Sequence, residues 1–130
     1  MKNNIEIFNY LHDTGLSNLT FDFQNKKASI DFLLWDDIKQ KEETLSINLF
    51  GISKFVSEYP KEYEFNAIGC HNANCTKINE SKYEVTFLFD FLKQAVAWKV
   101  DMNFEKMEVK GGLSNEAFIF KFGEANMTSR

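Results

Sequence analysis

The chain has 130 residues and a mass of 15.2 kDa, enough for one hydrophobic core that removes roughly two-thirds of the unfolded chain's surface from water. Its 44% hydrophobic and 26% charged content excludes a disordered, collagen-like or disulfide-scaffold chain. Fifteen Lys and Arg against nineteen Asp and Glu leave a net charge of −4, so the attraction to phosphate used by nucleic-acid coats is missing.

The first ten residues lack the continuous apolar stretch of a secretory signal, and no run approaches the ~18 apolar residues of a membrane span. Cys70 and Cys75 are the two cysteines, and the expectation is a reduced cytoplasmic protein that needs no disulfide. Fourteen Phe and a single Pro favour pleated, half-buried surfaces.

Apolar residues recur at every second position from Leu19 through Phe21 and Phe23, the signature of a one-sided strand. After Asn25-Lys26 the row Ala28, Ile30, Phe32 and Leu34 follows, and a two-residue hairpin sets Phe23 opposite Ala28 and Phe21 opposite Ile30. Leu45, Ile47 and Leu49 form a third row, with Phe32 paired to Ile47. Gly51 breaks the alternation, and Ile52, Phe55, Val56 and Tyr59 at i, i+3, i+4 and i+7 predict a short amphipathic helix stopped by Pro60.

Alternation returns at Tyr63, Phe65 and Ala67 and fades from Gly69 to Asn74. It is strongest in Tyr83 to Phe91 and Val96 to Phe104, a long hairpin turning near Leu92 to Gln94. With Phe91 opposite Gln94, Phe87 faces Trp98, Val85 faces Val100 and Glu84 faces Asp101. Parity changes at Met107 and Val109, Gly111-Gly112 supplies a turn, and Phe118, Phe120 and Phe122 read as a last strand. The fold class expected is mainly β: an antiparallel meander of about seven or eight strands in a curled sheet, sandwich or barrel, with one or two short helices. Residues 1–123 form one domain, and 124–130 a flexible polar tail.

Three constellations are candidates for chemistry. His12-Asp13 pairs an imidazole with a carboxylate that can orient a general base, but spacing identifies no nucleophile, and a turn before Gly15 explains the same residues. Cys70, His71 and Cys75 offer soft ligands within six residues. A structural zinc site ordinarily brings two ligand pairs, so the reading taken is a hairpin with two small thiols and no cofactor, with the metal set as the alternative. The third is acidic: Asp36 and Asp37 beside Trp35, and Glu84 and Asp101 on the outer sheet face, a surface suited to a basic partner. Lys82 and Lys99 are the dull compensation for the last two, and packing under the Ile52 to Tyr59 helix is the dull account of Trp35. No phosphate-cradling loop, dinucleotide fingerprint, nucleophile elbow or zinc-protease motif occurs.

Leu11-His12-Asp13-Thr14, then Leu16 and Leu19, Phe32-Leu33-Leu34-Trp35, and Leu45-x-Ile47-x-Leu49-Phe50-Gly51-Ile52 resemble a loose group of small bacterial β-rich proteins. That group carries Leu-His-Asp-Ser or Thr near its start, and some of its members look like immunity proteins of polymorphic toxins. The resemblance covers roughly residues 11 to 56. It implies a stand-alone, cytoplasmic, non-enzymatic protein, and places His12 and Asp13 on the shared motif. The leading expectation is therefore a protein-binding domain that blocks a toxin through Trp35 to Asp37, Glu84 and Asp101. The alternatives are a ligand-binding or enzymatic β-barrel with an aromatic interior, and a subunit that pairs edge strands into a homodimer.

Overall fold

Two-residue alternation carries through most of the chain. The computed structural model describes residues 4–59, 67–91 and 97–129. Eight antiparallel strands make one curled, unclosed sheet: β1 (Thr14–Asp22), β2 (Lys27–Asp36), β3 (Lys41–Phe50), β4 (Lys54–Glu58), β5 (Ile68–Asn79), β6 (Lys82–Phe91), β7 (Ala97–Phe104) and β8 (Lys106–Gly111). The order across the sheet is β4-β7-β6-β5-β1-β2-β3-β8, so the architecture is neither a closed barrel nor two separate layers. A 3-10 segment, Ile5–Tyr10, precedes the sheet, and one helix, α1 (Asn115–Phe122), follows it. Among the described residues, no helix is long and apolar enough to cross a membrane.

The predicted faces are present, although the predicted partners are displaced by two residues. Phe21 pairs with Ala28, Ile30 with Ile47, Phe32 with Leu45, Phe87 with Val100 and Phe89 with Trp98. A two-residue shift leaves every side chain on its own face, and so the inward rows stay inward. The cause in the first hairpin is a longer turn: Phe23 leaves the strand and is 80% exposed, with Lys26 at φ 52°. Glu84 consequently faces Asn103, and Asp101 faces Thr86, which removes the expected clash of like charges.

Chain order and sheet order part at three junctions, where β4 lies beside β7, β5 beside β1 and β3 beside β8. β3 runs into β4, and β7 into β8, yet β4 pairs with β7 while β8 pairs with β3. One long two-stranded ribbon therefore bends sharply, and its two halves lie at the two ends of the sheet. At the bend the Glu105 N–H donates to the Phe50 carbonyl at 2.9 Å, and the Ser53 N–H to that of Asn103 at 3.2 Å. Gly51 has φ 71°, and a Cβ there would lie 2.9–3.0 Å from the Glu105 side chain, so a side chain would be both strained and crowded. The expected mainly β, antiparallel curled sheet of about seven or eight strands is present, with this crossing added to it.

Two expectations about single elements are corrected. The helix at Ile52 to Tyr59 is strand β4, because the open ladder of β7 takes up Lys54 to Glu58; Phe55 packs on Phe21 with ring centroids 4.5 Å apart, and Tyr59 stacks on Trp98 at 4.4 Å. The last strand is helix α1, in which Phe118 and Phe122, four residues apart, turn inward and leave Phe120 in water. The tail carries a 3-10 segment, Glu124–Ser129, in which buried Asn126 donates to the Phe122 carbonyl at 2.5 Å and accepts from the Asn4 amide. The strand expected at Tyr63 to Phe65 and the turn at Leu92 to Gln94 lie outside the described residues.

Inside the curl, Phe8, Phe32, Phe87, Phe89 and Phe104 are fully buried. Phe87 is the hub, with ring centroids 5.7 Å from Phe8, 6.2 Å from Phe32 and 5.5 Å from Phe89. The amino-terminal 3-10 segment closes one mouth by burying Ile7 and Phe8.

Candidate functional site

β1 and β2 pair at their outer ends through Gly15 and Leu33. Gly15 presents no side chain over its partner, and a Cβ there would lie 3.3 Å from that of Leu33. The floor left open between these residues and α1 is a groove of about 600 Å³, within the size range of ordinary ligand sites. Its rim is apolar and wet: Trp35 is 59%, Ile38 61% and Phe120 89% exposed. Asp13, Asp37, Glu42 and Glu116 line it together with one cation, Lys121.

Asp36 builds this rim. Its carboxylate accepts the Ile38 and Lys39 N–H groups at 2.9 and 3.1 Å, which shapes the β2–β3 turn. It also accepts the Ser114 N–H at 2.7 Å and the Ser114 hydroxyl at 3.0 Å. Ser114 in turn is the N-cap of α1, its oxygen accepting from the Ala117 N–H at 3.3 Å. Burial pushes the Asp36 carboxyl up, but these donors outweigh it and hold the group down at about 2. The residue read from the sequence as an exposed contact is therefore enclosed and structural, because a β-strand end and a helix start converge on it.

Of the other predicted residues, Asp13, Trp35 and Asp37 meet at the groove, whereas Glu84 and Asp101 lie away from it. Trp35 is outward and exposed, since β4 offers no helix to cover it. Asp37 lines the groove. Glu84 and Asp101 lie on β6 and β7, and each has a local partner: Lys54 sits 3.2 Å from Glu84, while Asp101 accepts from the Thr86 hydroxyl and has Lys99 at 3.8 Å. Glu43 is likewise held by Lys41 at 3.3 Å and Lys39 at 3.7 Å, and Glu108 by Lys110 at 3.2 Å. Among the described residues, no ion pair involves Asp13, Asp37, Glu42 or Glu116.

Asp13 occupies a left-handed conformation, φ 64°, at the entry to β1, and its N–H donates to the Cys70 carbonyl at 2.9 Å. His12 is exposed, and its carbonyl accepts from Lys121 Nζ at 3.3 Å. The nearest hydroxyl in sequence, that of Thr14, donates to the Leu11 carbonyl at 2.6 Å. The motif thus makes a turn, as its composition allows.

Cys70, His71 and Cys75 do not lie on a hairpin turn; all three belong to the continuous strand β5, and a bulge at His71 interrupts its pairing with β6. The extra residue turns Cys70 and Ala73 inward and leaves His71 outside, 3.3 Å from Asp90. No cluster of three metal-ligating side chains occurs among the described residues. Burial pushes both thiols up to about 12, so thiolate is scarce at neutral pH. Cys70, which is buried whereas Cys75 is half-buried, is expected to resist a disulfide-exchange reagent at pH 8 in the folded protein and to react promptly in denaturant, as followed by absorbance. Rapid native labelling of Cys70 contradicts its enclosure.

The interior that an apolar ligand would occupy in a barrel is taken by the packed Phe rings, and the groove lies outside it. Glu116 and Phe120 are absent from the sequence-derived site, because the spacing of Phe118, Phe120 and Phe122 reads as a last strand. The available signal was a run of helix punctuation: Ser114 as cap, Glu116 in the first turn, Lys121 in the last and Gly123 at the stop. Comparison of the chain with protein-family models, curated proteins and solved structures finds no match.

Proposed function

We propose that the chain is a cytoplasmic protein-binding domain without catalytic function, whose groove face seats a basic region of another protein and thereby blocks it, as an immunity protein does to a toxin. The observation that carries this reading is the meeting of three exposed apolar side chains, Trp35, Ile38 and Phe120, with four carboxylates and one lysine on a single groove. Trp is a frequent energetic anchor of protein interfaces, and a field of one sign speeds encounter with a partner of the other.

The test is affinity capture from the source cell, followed by a binding isotherm with the captured protein. The partner is expected to be basic. The double variant Trp35→Ala, Phe120→Ala is expected to bind it at least about 30-fold more weakly, as loss of one interface anchor alone produces. Circular dichroism should be unchanged, because both side chains face water. A partner that binds the double variant as tightly as the parent overturns the reading.

A further inference from the structure

Two features of the groove specify the side chain it recognises. On the ladder between β2 and β3, Trp35 stands directly opposite Glu42. Directly opposed residues share a face, with Cβ atoms about 4.5–5.5 Å apart, so an exposed carboxylate flanks an exposed indole. Among the described residues, the lysines beside the groove are held by other groups. Lys39 and Lys41 hold Glu43, Lys39 also donates to the Gly112 carbonyl, and Lys121 donates to that of His12. Lys27 lies 5.4 Å from the Phe50 ring, whereas no cation of the described residues is recorded over Trp35.

Resting on the protein-binding reading above, we propose that Trp35 and Glu42 clamp an arginine side chain of the partner. The guanidinium lies flat on the indole face while its fork donates to the Glu42 carboxylate. Asp37, on the turn that follows Trp35, adds negative potential from the same rim. Arginine fits this pair better than lysine, because a planar, weakly hydrated fork satisfies the ring and both carboxylate oxygens at once. An ammonium group, compact and strongly hydrated, gives up more water to make fewer contacts. The apolar rim residues Ile38 and Phe120 then take hydrophobic neighbours of that arginine.

The experiment titrates the full chain with three synthetic peptides of alternating leucine and one other residue, which is arginine, lysine or uncharged citrulline. Trp35 is followed by its indole NMR resonance, with Trp98 as the internal reference for an intact core. The arginine peptide is expected to bind at least about tenfold more tightly than the lysine peptide, and the citrulline peptide not measurably. Glu42→Gln should abolish the preference for arginine over lysine while leaving the fold intact. Equal binding of both cationic peptides, weakened by Asp37→Asn but not by Glu42→Gln, overturns the clamp and leaves the basic-partner reading standing. No binding by either cationic peptide, or binding that moves neither Trp35 nor any groove residue, overturns both.

Discussion

Replacing Phe87 by alanine is expected to lower the free energy of unfolding by about 3–5 kcal/mol, the range for a fully enclosed aromatic ring in a packed core. Phe87 is completely buried and touches three rings: Phe8 of the amino-terminal 3-10 segment, Phe32 of β2 and Phe89 of its own strand. Removing it leaves a void bounded by the 3-10 segment and by β2 and β6, which do not pair with each other, so no single strand can collapse into the space. The cost is a large share of the ~5–15 kcal/mol that stabilises an ordinary domain. Urea denaturation measures it, with Phe120→Ala as the control. That ring is 89% exposed, and its loss is expected to change stability by less than about 0.5 kcal/mol. A Phe87→Ala loss below about 1.5 kcal/mol, or a comparable loss at Phe120, contradicts the placement of the core.

Asp36→Asn is expected to cost melting temperature on the order of 10 °C, and, under the proposed function, to weaken binding of a basic partner by loosening the groove. The carboxylate accepts four hydrogen bonds, two from the β2–β3 turn and two from Ser114. An asparagine keeps one acceptor oxygen and turns an NH₂ group toward donors, so at least one N–H loses its partner. The two rims of the groove are then released from each other, since Asp37 and Ile38 lie on that turn and Glu116 and Phe120 on α1.

The pH dependence has a definite sign. The folded Asp36 carboxyl sits at about 2, below its ordinary 3.8, so its ionised form favours the folded state. That stabilisation is complete above about pH 4 and is lost as the pH falls through about 2. The gap in melting temperature between the parent and Asp36→Asn should therefore be widest near neutrality and narrow between about pH 4 and 2. A gap that is constant with pH, or a variant melting within about 2 °C of the parent at pH 7, contradicts the role of the carboxylate.

Asp36 also marks where reading the chain residue by residue reaches its limit. In the sequence it stands two residues beyond Leu34, in phase with the inward row Ala28, Ile30, Phe32 and Leu34, and the burial of β2 follows that phase to its end; what alternation does not supply is the group that satisfies an enclosed carboxylate. Its partner Ser114 is 78 positions away. The same holds at the carboxyl end. Phe118, Phe120 and Phe122 satisfy a two-residue period and two of them also a four-residue spacing, and only the contact with the sheet decides which pair is buried. Helical spacing at Ile52 to Tyr59 misleads for the converse reason, because an unpaired ladder on β7 outweighs a weak local preference.

Which face each strand residue takes follows from alternation alone. Ala28, Ile30, Phe32, Leu45, Ile47, Leu49, Val85, Phe87, Phe89, Val100 and Met102 are inward as their alternation requires, because adjacent side chains on a strand must point to opposite sides wherever that strand pairs. Tertiary structure alone decided which strands adjoin, by how many residues each register is displaced, and that the β3–β4 and β7–β8 ribbon bends to place its halves at opposite ends of the sheet. The groove belongs to this second class. A displacement of two residues costs no change of face, so alternation is blind to it, whereas the meeting of Gly15, Trp35, Glu42 and Phe120 depends on the register of β1, β2 and β3 and on a helix seated by one distant carboxylate.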